Sequence, residues 1–228
     1  MPAVTSKKLV IVGDGMVGKT ALLQSFVQGK YEGDYTPTVF ETSAEEVHLP
    51  DGRSVTLSLW DTGGQEEFDQ IRQLAYPGAA VVILCYAIDC QTSLHNVVHT
   101  WNGEVRHFCP TSPIILVGCK SDLRHGALPL QQTKSAQRTE KHDHLVDPEE
   151  ASAVQQQIGA LIHLECSAVT RANVKSVFQL AAMAVLNAEK ANRPRMFGSF
   201  SGKSAHSKQG SKRCSSKIKR SKICCFLF

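Results

Sequence analysis

Gly13-Asp14-Gly15-Met16-Val17-Gly18-Lys19-Thr20 has the residue types and spacing of a phosphate-binding loop. Its three glycines let backbone N–H groups close around phosphate oxygens. Lys19 can reach the β and γ phosphates, and the Thr20 hydroxyl can ligate Mg²⁺. The flanks meet the remaining requirements. Leu9-Val10-Ile11-Val12 reads as a strand, and Leu22 with Phe26, and Leu23 with Val27, recur at helical spacing, so a helix N-terminus adds partial positive charge at the loop. A glycine turn with a chance Lys-Thr after it would lack that context.

Other elements must hold and complete such a site. Residues 29–40 are Gly- and Tyr-rich and contain Thr36-Pro37-Thr38, a loop because Pro37 biases Thr36 away from helix; it would lie beside the phosphates. Strands at 41–49 and 54–61, joined by a Pro50-Asp51-Gly52 turn, form a hairpin in which Val55, Leu57 and Leu59 alternate with Thr56, Ser58 and Trp60. Asp61-Thr62-Gly63-Gly64-Gln65-Glu66 ends the second of them in a glycine-rich loop, and 79–87 is the next strand. Residues 91–108 read as one helix with Leu94, Val97, Trp101, Val105 and Phe108 as its core stripe. Ile114-Ile115-Leu116-Val117-Gly118 is a buried-type strand running into Cys119-Lys120-Ser121-Asp122. The polar segment that follows, to about residue 146, reads as an exposed insertion. Asp147-Pro148-Glu149-Glu150 then opens a helix, with Asp147 as cap, Pro148 in first position and Glu150 able to close a capping box; Ala151, Val154 and Ile158 continue its inner face. A strand at 161–165 leads to Cys166-Ser167-Ala168, and a last helix, 172–190, carries Val174, Val177, Phe178, Ala181 and Val185 on one side. This alternation predicts a doubly wound α/β sheet with ligands at the carboxyl ends of its strands.

Composition narrows the setting. A length of 228 residues suits one domain with an appendage, and no repeat is evident. Five of the eight cysteines, at 85, 90, 109, 119 and 166, fall mostly in apolar runs and read as small buried hydrophobes in a reducing compartment, not as a disulfide framework. His142-Asp143-His144 lacks a third firm ligand and reads as a solvated face. No signal peptide is recognised, Pro2 stands where myristoylation needs glycine, and the longest apolar run, about 79–88, is too short to span a bilayer, so any membrane contact is expected through an anchor. Charge is divided: up to Glu189 there are 14 Lys and Arg against 21 Asp and Glu, and from Lys190 onward 11 Lys and Arg with no acid. A basic tail on an acidic body suits an anionic lipid or a nucleic acid.

Together the loops resemble the Ras superfamily of small GTPases over about residues 7–190: GDGMVGKT at 13–20, TPTVFE at 36–41, WDTGGQE at 60–66, CKSD at 119–122 and CSA at 166–168. YTPTVFE at 35–41, the WDTGGQEEFD run, YP at 76–77, EVRHFCP at 104–110, the insertion after Asp122 and the C-terminus make the likeness one to the Rho family, of which this is a somewhat divergent member. The resemblance implies an α/β P-loop NTPase fold: a mostly parallel six-stranded sheet with helices on both faces, plus a Rho-type helical insertion at about 123–146, in a GTPase domain spanning 1–190. It implies a guanine-nucleotide site of Gly13, Asp14, Gly15, Met16, Val17, Gly18, Lys19, Thr20, Ala21, Tyr31, Tyr35, Thr38, Asp61, Gly64, Cys119, Lys120, Asp122, Ser167 and Ala168. Mg²⁺ would be held by Thr20 and Thr38, with Asp61 acting through water. Thr38 and Gly64 would sense the γ-phosphate in two switch loops, while Gln65 orients the attacking water and Lys19 and Thr38 complete the catalytic set. Asp122 would accept hydrogen bonds from guanine N1–H and its exocyclic amine, which selects against adenine. Residues 29–40 offer Lys30 and no arginine, so the missing positive charge at the transition state is expected from an activating protein.

Some residues depart from that family. Gly63 stands for alanine, which predicts a looser second switch and slower hydrolysis. Cys119 stands for asparagine or threonine and Val169 for lysine, which predicts faster nucleotide exchange, since cysteine is a weak hydrogen-bond partner. Phe68, Gln70 and Gln73 also differ, where regulators dock. Residues 191–228 read as a disordered polybasic tail ending in a prenylation motif: Cys225 in the C-a-a-X position, Phe228 favouring geranylgeranyl, and Cys224 or Cys214 open to palmitate. The six basic residues from Lys212 to Lys222 supply the second anchoring signal on anionic lipid, and no stacking platform for nucleic acid accompanies them. The expected protein is a monomeric, slowly hydrolysing switch on the cytoplasmic face of the plasma membrane or endomembranes, partly cytosolic, acting in actin and cell-shape signalling. Its expected partners are exchange factors, activating proteins, a prenyl-binding dissociation inhibitor and effectors. A mostly GTP-bound scaffold is the alternative, and a metabolic phosphate-loop kinase would need a lid and second substrate site that are not seen.

Overall fold

Alternation along the first strand settles which layer each side chain joins. In β1 (Lys7–Val12), Leu9 and Ile11 enter one core and Val10 and Val12 the other, and all four are buried. The computed structural model describes residues 6–31, 33, 38, 40–125 and 145–192. Tyr35, His142-Asp143-His144, nearly all of the insertion, and the tail with Cys214, Cys224 and Cys225 lie outside the described residues. β1 pairs in parallel with β3 (Ser54–Thr62) on one side and β4 (Val81–Ala87) on the other. β4 pairs with β5 (Ile114–Cys119), and β5 with β6 (Ile162–Glu165), again in parallel. β2 (Phe40–His48) runs antiparallel along β3 in a hairpin closed by Leu49, Gly52 and Arg53. The six strands lie in the order β2-β3-β1-β4-β5-β6.

β4 and β5 are buried along their whole length because helices cover both sheet faces. One layer contains α1 (Lys19–Val27) and α6 (Val174–Asn192); Phe26 stacks on Phe178 with ring centroids 3.9 Å apart, and Phe178 is fully buried. The opposite layer contains α3 (Gln91–Asn96), α4 (Asn102–Phe108) and α5 (Pro148–Gln157), with Leu94, Val97, Trp101, Val105, Ala151 and Ile158 inward. The short α2 (Asp69–Gln73) follows the Gly63–Gly64 loop.

Two local expectations change. Residues 91–108 are helical but not regular, because Val97–Trp101 form a π turn between α3 and α4. Its Val97 and Trp101 are buried as the stripe requires, so periodicity alone does not reveal the extra residue in the turn. Asp147 caps α5 by accepting from Glu149 N at 2.8 Å, but Glu150 binds the Gln91 side-chain amide of the neighbouring helix instead of closing a capping box.

Candidate functional site

Between the end of β1 at Val12 and the start of α1 at Lys19 the chain turns under tight constraint. Gly13 has φ 140°, and a Cβ there would lie 2.2 Å from the Cys85 carbonyl oxygen, so only glycine fits. Gly18, at φ 107°, precedes the first residue of α1. Met16 takes a left-handed φ of 63° and leaves its side chain exposed at the mouth of a cavity of about 600 Å³. Lys19 is buried and donates to the Gly13 and Asp14 carbonyls at 2.7 and 2.6 Å, and its burial lowers its pKa from the usual lysine value. The ammonium thus lies under the loop, where phosphates would meet it.

The cavity is walled by Gly15, Gly18, Thr20, Ala21, Tyr31, Thr38, Gly64, Gln65, Cys119, Lys120, Asp122 and Ala168 as well as Met16 and Lys19. Gly13, Asp14, Val17, Asp61 and Ser167 stand within two positions of cavity-lining residues in the chain without lining the cavity themselves. Three chain segments at the cavity bring oxygen donors together. The Thr20 and Thr38 hydroxyls are 2.7 Å apart, although 18 positions separate them in the chain. Beside Thr20, the Asp61 carboxylate is buried and neither oxygen has a hydrogen-bond partner of normal geometry. Burial raises its pKa to about 6, against the pull of Thr20 and Lys19. A buried carboxylate without a partner is costly, and with the Thr20 hydroxyl beside it and the Thr38 hydroxyl bonded to Thr20 it forms an all-oxygen donor set that fits a hard cation such as Mg²⁺. Below pH of about 6, a proton competes with that cation for Asp61. Among the described residues no group of three His, Cys, Asp or Glu could hold a metal unaided, so phosphate oxygens would have to complete the set.

The loop after β3 packs directly on the phosphate loop. A Cβ on Gly64 would lie 2.2 Å from Gly13 O, and one on Gly15 would lie 3.5 Å from Gln65 Cγ. A Cβ on Gly63 would lie 2.7 Å from the Thr38 carbonyl oxygen and 2.5 Å from Phe68 Cδ2. These contacts argue for the opposite sign to the one glycine's freedom suggests: the glycine lets the loop after β3 approach Thr38, and a methyl group would separate them. On the GTPase reading that the resemblance implies, Gly63→Ala is therefore expected to slow single-turnover GTP hydrolysis roughly tenfold, in line with about 1–3 kcal/mol for overpacking. An unchanged or faster rate would mean that the Thr38 carbonyl gives way.

At the other end, Ser167 Oγ donates to Asp122 Oδ1 at 2.6 Å, deep in the site. Lys120, at a left-handed φ of 67°, reaches Asp89 at 3.1 Å. Ser25 of α1 donates to the Ala168 carbonyl at 3.0 Å, tying this loop to the helix that starts at the phosphate loop. Cys119 packs against Gly18, whose Cβ would lie 3.4 Å from Cys119 Cβ. Tyr31 is partly exposed along the rim.

Sequence reasoning missed the support behind the wall. The Asp14 side chain turns away from the cavity, to Asn96 and Trp101, so Trp101 is more than the core residue its spacing implies. Buried Arg72 donates to Gly63 O, Asp69 and Glu104, and Glu104 also accepts from Tyr76 Oη at 2.7 Å. Arg72 falls outside every motif, and an arginine in a short amphipathic helix carries no signal of burial. Glu41, Thr62, Leu123 and Cys166 also reach the cavity without having been expected there, and Val169 lines it as its place after Ala168 implies.

A family model described as the Ras family matches residues 8–187. The chain is 46% identical over 203 residues to the GTP-binding protein rhoC of Emericella nidulans, covering 89% of this chain and 70% of that protein. It is 46% identical over 180 residues to the GTP-binding protein rho1 of Schizosaccharomyces pombe, covering 79% of this chain and 86% of that one. It is 48% identical over 180 residues to the GTP-binding protein Rho1 of Kluyveromyces lactis, covering 79% and 84%.

Proposed function

Because the chain belongs to the Ras family and is a Rho-type small GTPase, we propose that it is a membrane-anchored switch that hydrolyses GTP slowly and binds effectors while GTP-loaded. The observation that carries this reading is the meeting of Thr20 and Thr38 hydroxyls at 2.7 Å beside the buried, unpartnered Asp61 carboxylate. It joins the first switch to the phosphate loop at the place where a terminal phosphate would arrive. Mg²⁺, held there by Thr20 and Thr38 with Asp61 behind a water, would offset phosphate charge. Lys19 adds its own charge from below, its ammonium already held by the Gly13 and Asp14 carbonyls. Gln65 orients the attacking water, and the Thr38 and Gly64 N–H groups bind the terminal phosphate, so its loss releases both loops.

Hydrolysis is slow without an arginine from an activating protein, and Cys119 makes exchange faster than an asparagine would. Exchange factors, effectors and a prenyl-binding dissociation inhibitor are the further partners, the protein itself being a monomer. Geranylgeranyl on Cys225, with palmitate on Cys224 or Cys214 and the basic residues around them, anchors it to anionic lipid on the cytoplasmic face of the plasma membrane or endomembranes. There it regulates the actin cytoskeleton. The purified full chain should release guanine nucleotide on denaturation and hydrolyse GTP at a rate raised about 10³-fold or more by a Rho-type activating protein. Release of adenine nucleotide, or no acceleration, would refute the reading. Cys225→Ser should move the protein from membranes to cytosol, and continued membrane association would refute the anchor.

A further inference from the structure

Asp14 belongs to the phosphate loop, yet its carboxylate is held from outside it. Oδ1 accepts from Trp101 Nε1 at 2.6 Å and Oδ2 from Asn96 Nδ2 at 2.8 Å. Asn96 ends α3 and Trp101 ends the π turn, so the two donors stand at either end of the irregular stretch of that helix. π turns of this kind often mark functional positions, since the extra residue re-aims the side chains around it. The same indole faces the second switch: the Arg72 guanidinium lies 4.7 Å from its ring centroid. Arg72 Nη1 donates to the Gly63 carbonyl at 3.2 Å, one residue before the glycine that packs on the phosphate loop. Burial lowers the pKa of Arg72, but its bonds to Glu104 and Asp69 outweigh this and keep it charged. One side chain therefore touches both the carboxylate of the phosphate loop and the cation that holds the second switch.

We infer that Trp101 is a positioning residue for GTP hydrolysis. It touches no nucleotide. It acts through Asp14 on one side and Arg72 on the other, setting the height at which Gly64 and Gln65 meet the loop from Gly13 to Gly15. The inference rests on the GTPase reading above, and a separate measurement of GDP binding keeps the two distinguishable: a wild-type chain that binds no guanine nucleotide refutes both.

Trp101→Phe keeps a ring for Arg72 and deletes only the N–H. In the full chain it is expected to lower single-turnover hydrolysis roughly tenfold, the loss of one hydrogen bond to a charged group, while the GDP dissociation constant stays within about twofold. Asp14→Ala should give a similar fall, and the double variant little more than either, because both remove the same bond. Since Trp101 is one of two tryptophans, a Trp60→Phe background isolates its emission, which should change when GDP is replaced by a non-hydrolysable GTP analogue. Asp14→Ala should abolish that change. Wild-type hydrolysis in Trp101→Phe, or additive losses in the double variant, would overturn the inference. If Trp101→Phe does not fold, Asp14→Ala removes the same bond from its other end and leaves the indole in place; an unchanged hydrolysis rate there would overturn it equally.

Discussion

Replacing Gly64 with alanine is expected to reduce GTP hydrolysis and effector binding by about a hundredfold or more while leaving GDP binding within a few-fold. The backbone of Gly64 does not require glycine, since its φ is not among the left-handed values. The constraint is contact. A methyl group there would lie 2.2 Å from Gly13 O, 2.4 Å from Asp14 C and 2.6 Å from Gly15 N, all three in the backbone of the phosphate loop. No rotamer can relieve a clash between backbone segments, and Gly13 cannot retreat because it already lies against the Cys85 carbonyl. The second switch must therefore move away as a unit, taking Gln65 from the reacting phosphate and the Gly64 N–H from its acceptor. GDP has no γ-phosphate for that N–H to bind, so its affinity is nearly unaffected. Single-turnover hydrolysis and effector pull-down with a non-hydrolysable analogue measure the loss. A Gly64→Ala protein with normal hydrolysis would show that the loop closes elsewhere.

Asp122→Asn is expected to weaken GDP binding by about two to three orders of magnitude and to recover much of it with xanthosine diphosphate. The argument turns on Ser167, whose Oγ donates to Asp122 Oδ1 at 2.6 Å. An asparagine at 122 satisfies that donor only with its carbonyl oxygen, which leaves the amide NH₂ facing the base. Guanine presents donors on this edge, so donor meets donor. Xanthine carries a carbonyl where guanine has its amine, and the pattern becomes complementary again. Removing the serine hydroxyl should undo the discrimination: in Asp122→Asn with Ser167→Ala the amide is free to flip, and the preference for the xanthine nucleotide should narrow. Nucleotide off-rates for the two diphosphates provide the measurement. Equal affinity of Asp122→Asn for both would mean that the 122 side chain does not face the base.

The phosphate loop was legible because its chemistry is local: strand, glycines, Lys19 and Thr20 are consecutive, and each neighbour constrains the next. The layers were legible for a similar reason. Leu9 and Ile11 against Val10 and Val12 alternate as a strand between two helical layers must, and Val174, Val177, Phe178, Ala181 and Val185 repeat as a helix face must. Three-dimensional packing alone decided the contacts between distant segments. Nothing in the spacing of Thr20 and Thr38 states that their hydroxyls meet. Nothing in a glycine at 63 distinguishes freedom from close approach until the Thr38 carbonyl is found beside it. The π turn is hidden because an extra residue in a buried turn leaves the apolar stripe apolar, yet it sends Trp101 to Asp14. Periodicity records which side of an element is dry; it carries no information about which polar atom on that side meets which partner, and that pairing depends on distances set only when the sheet and both helical layers have closed.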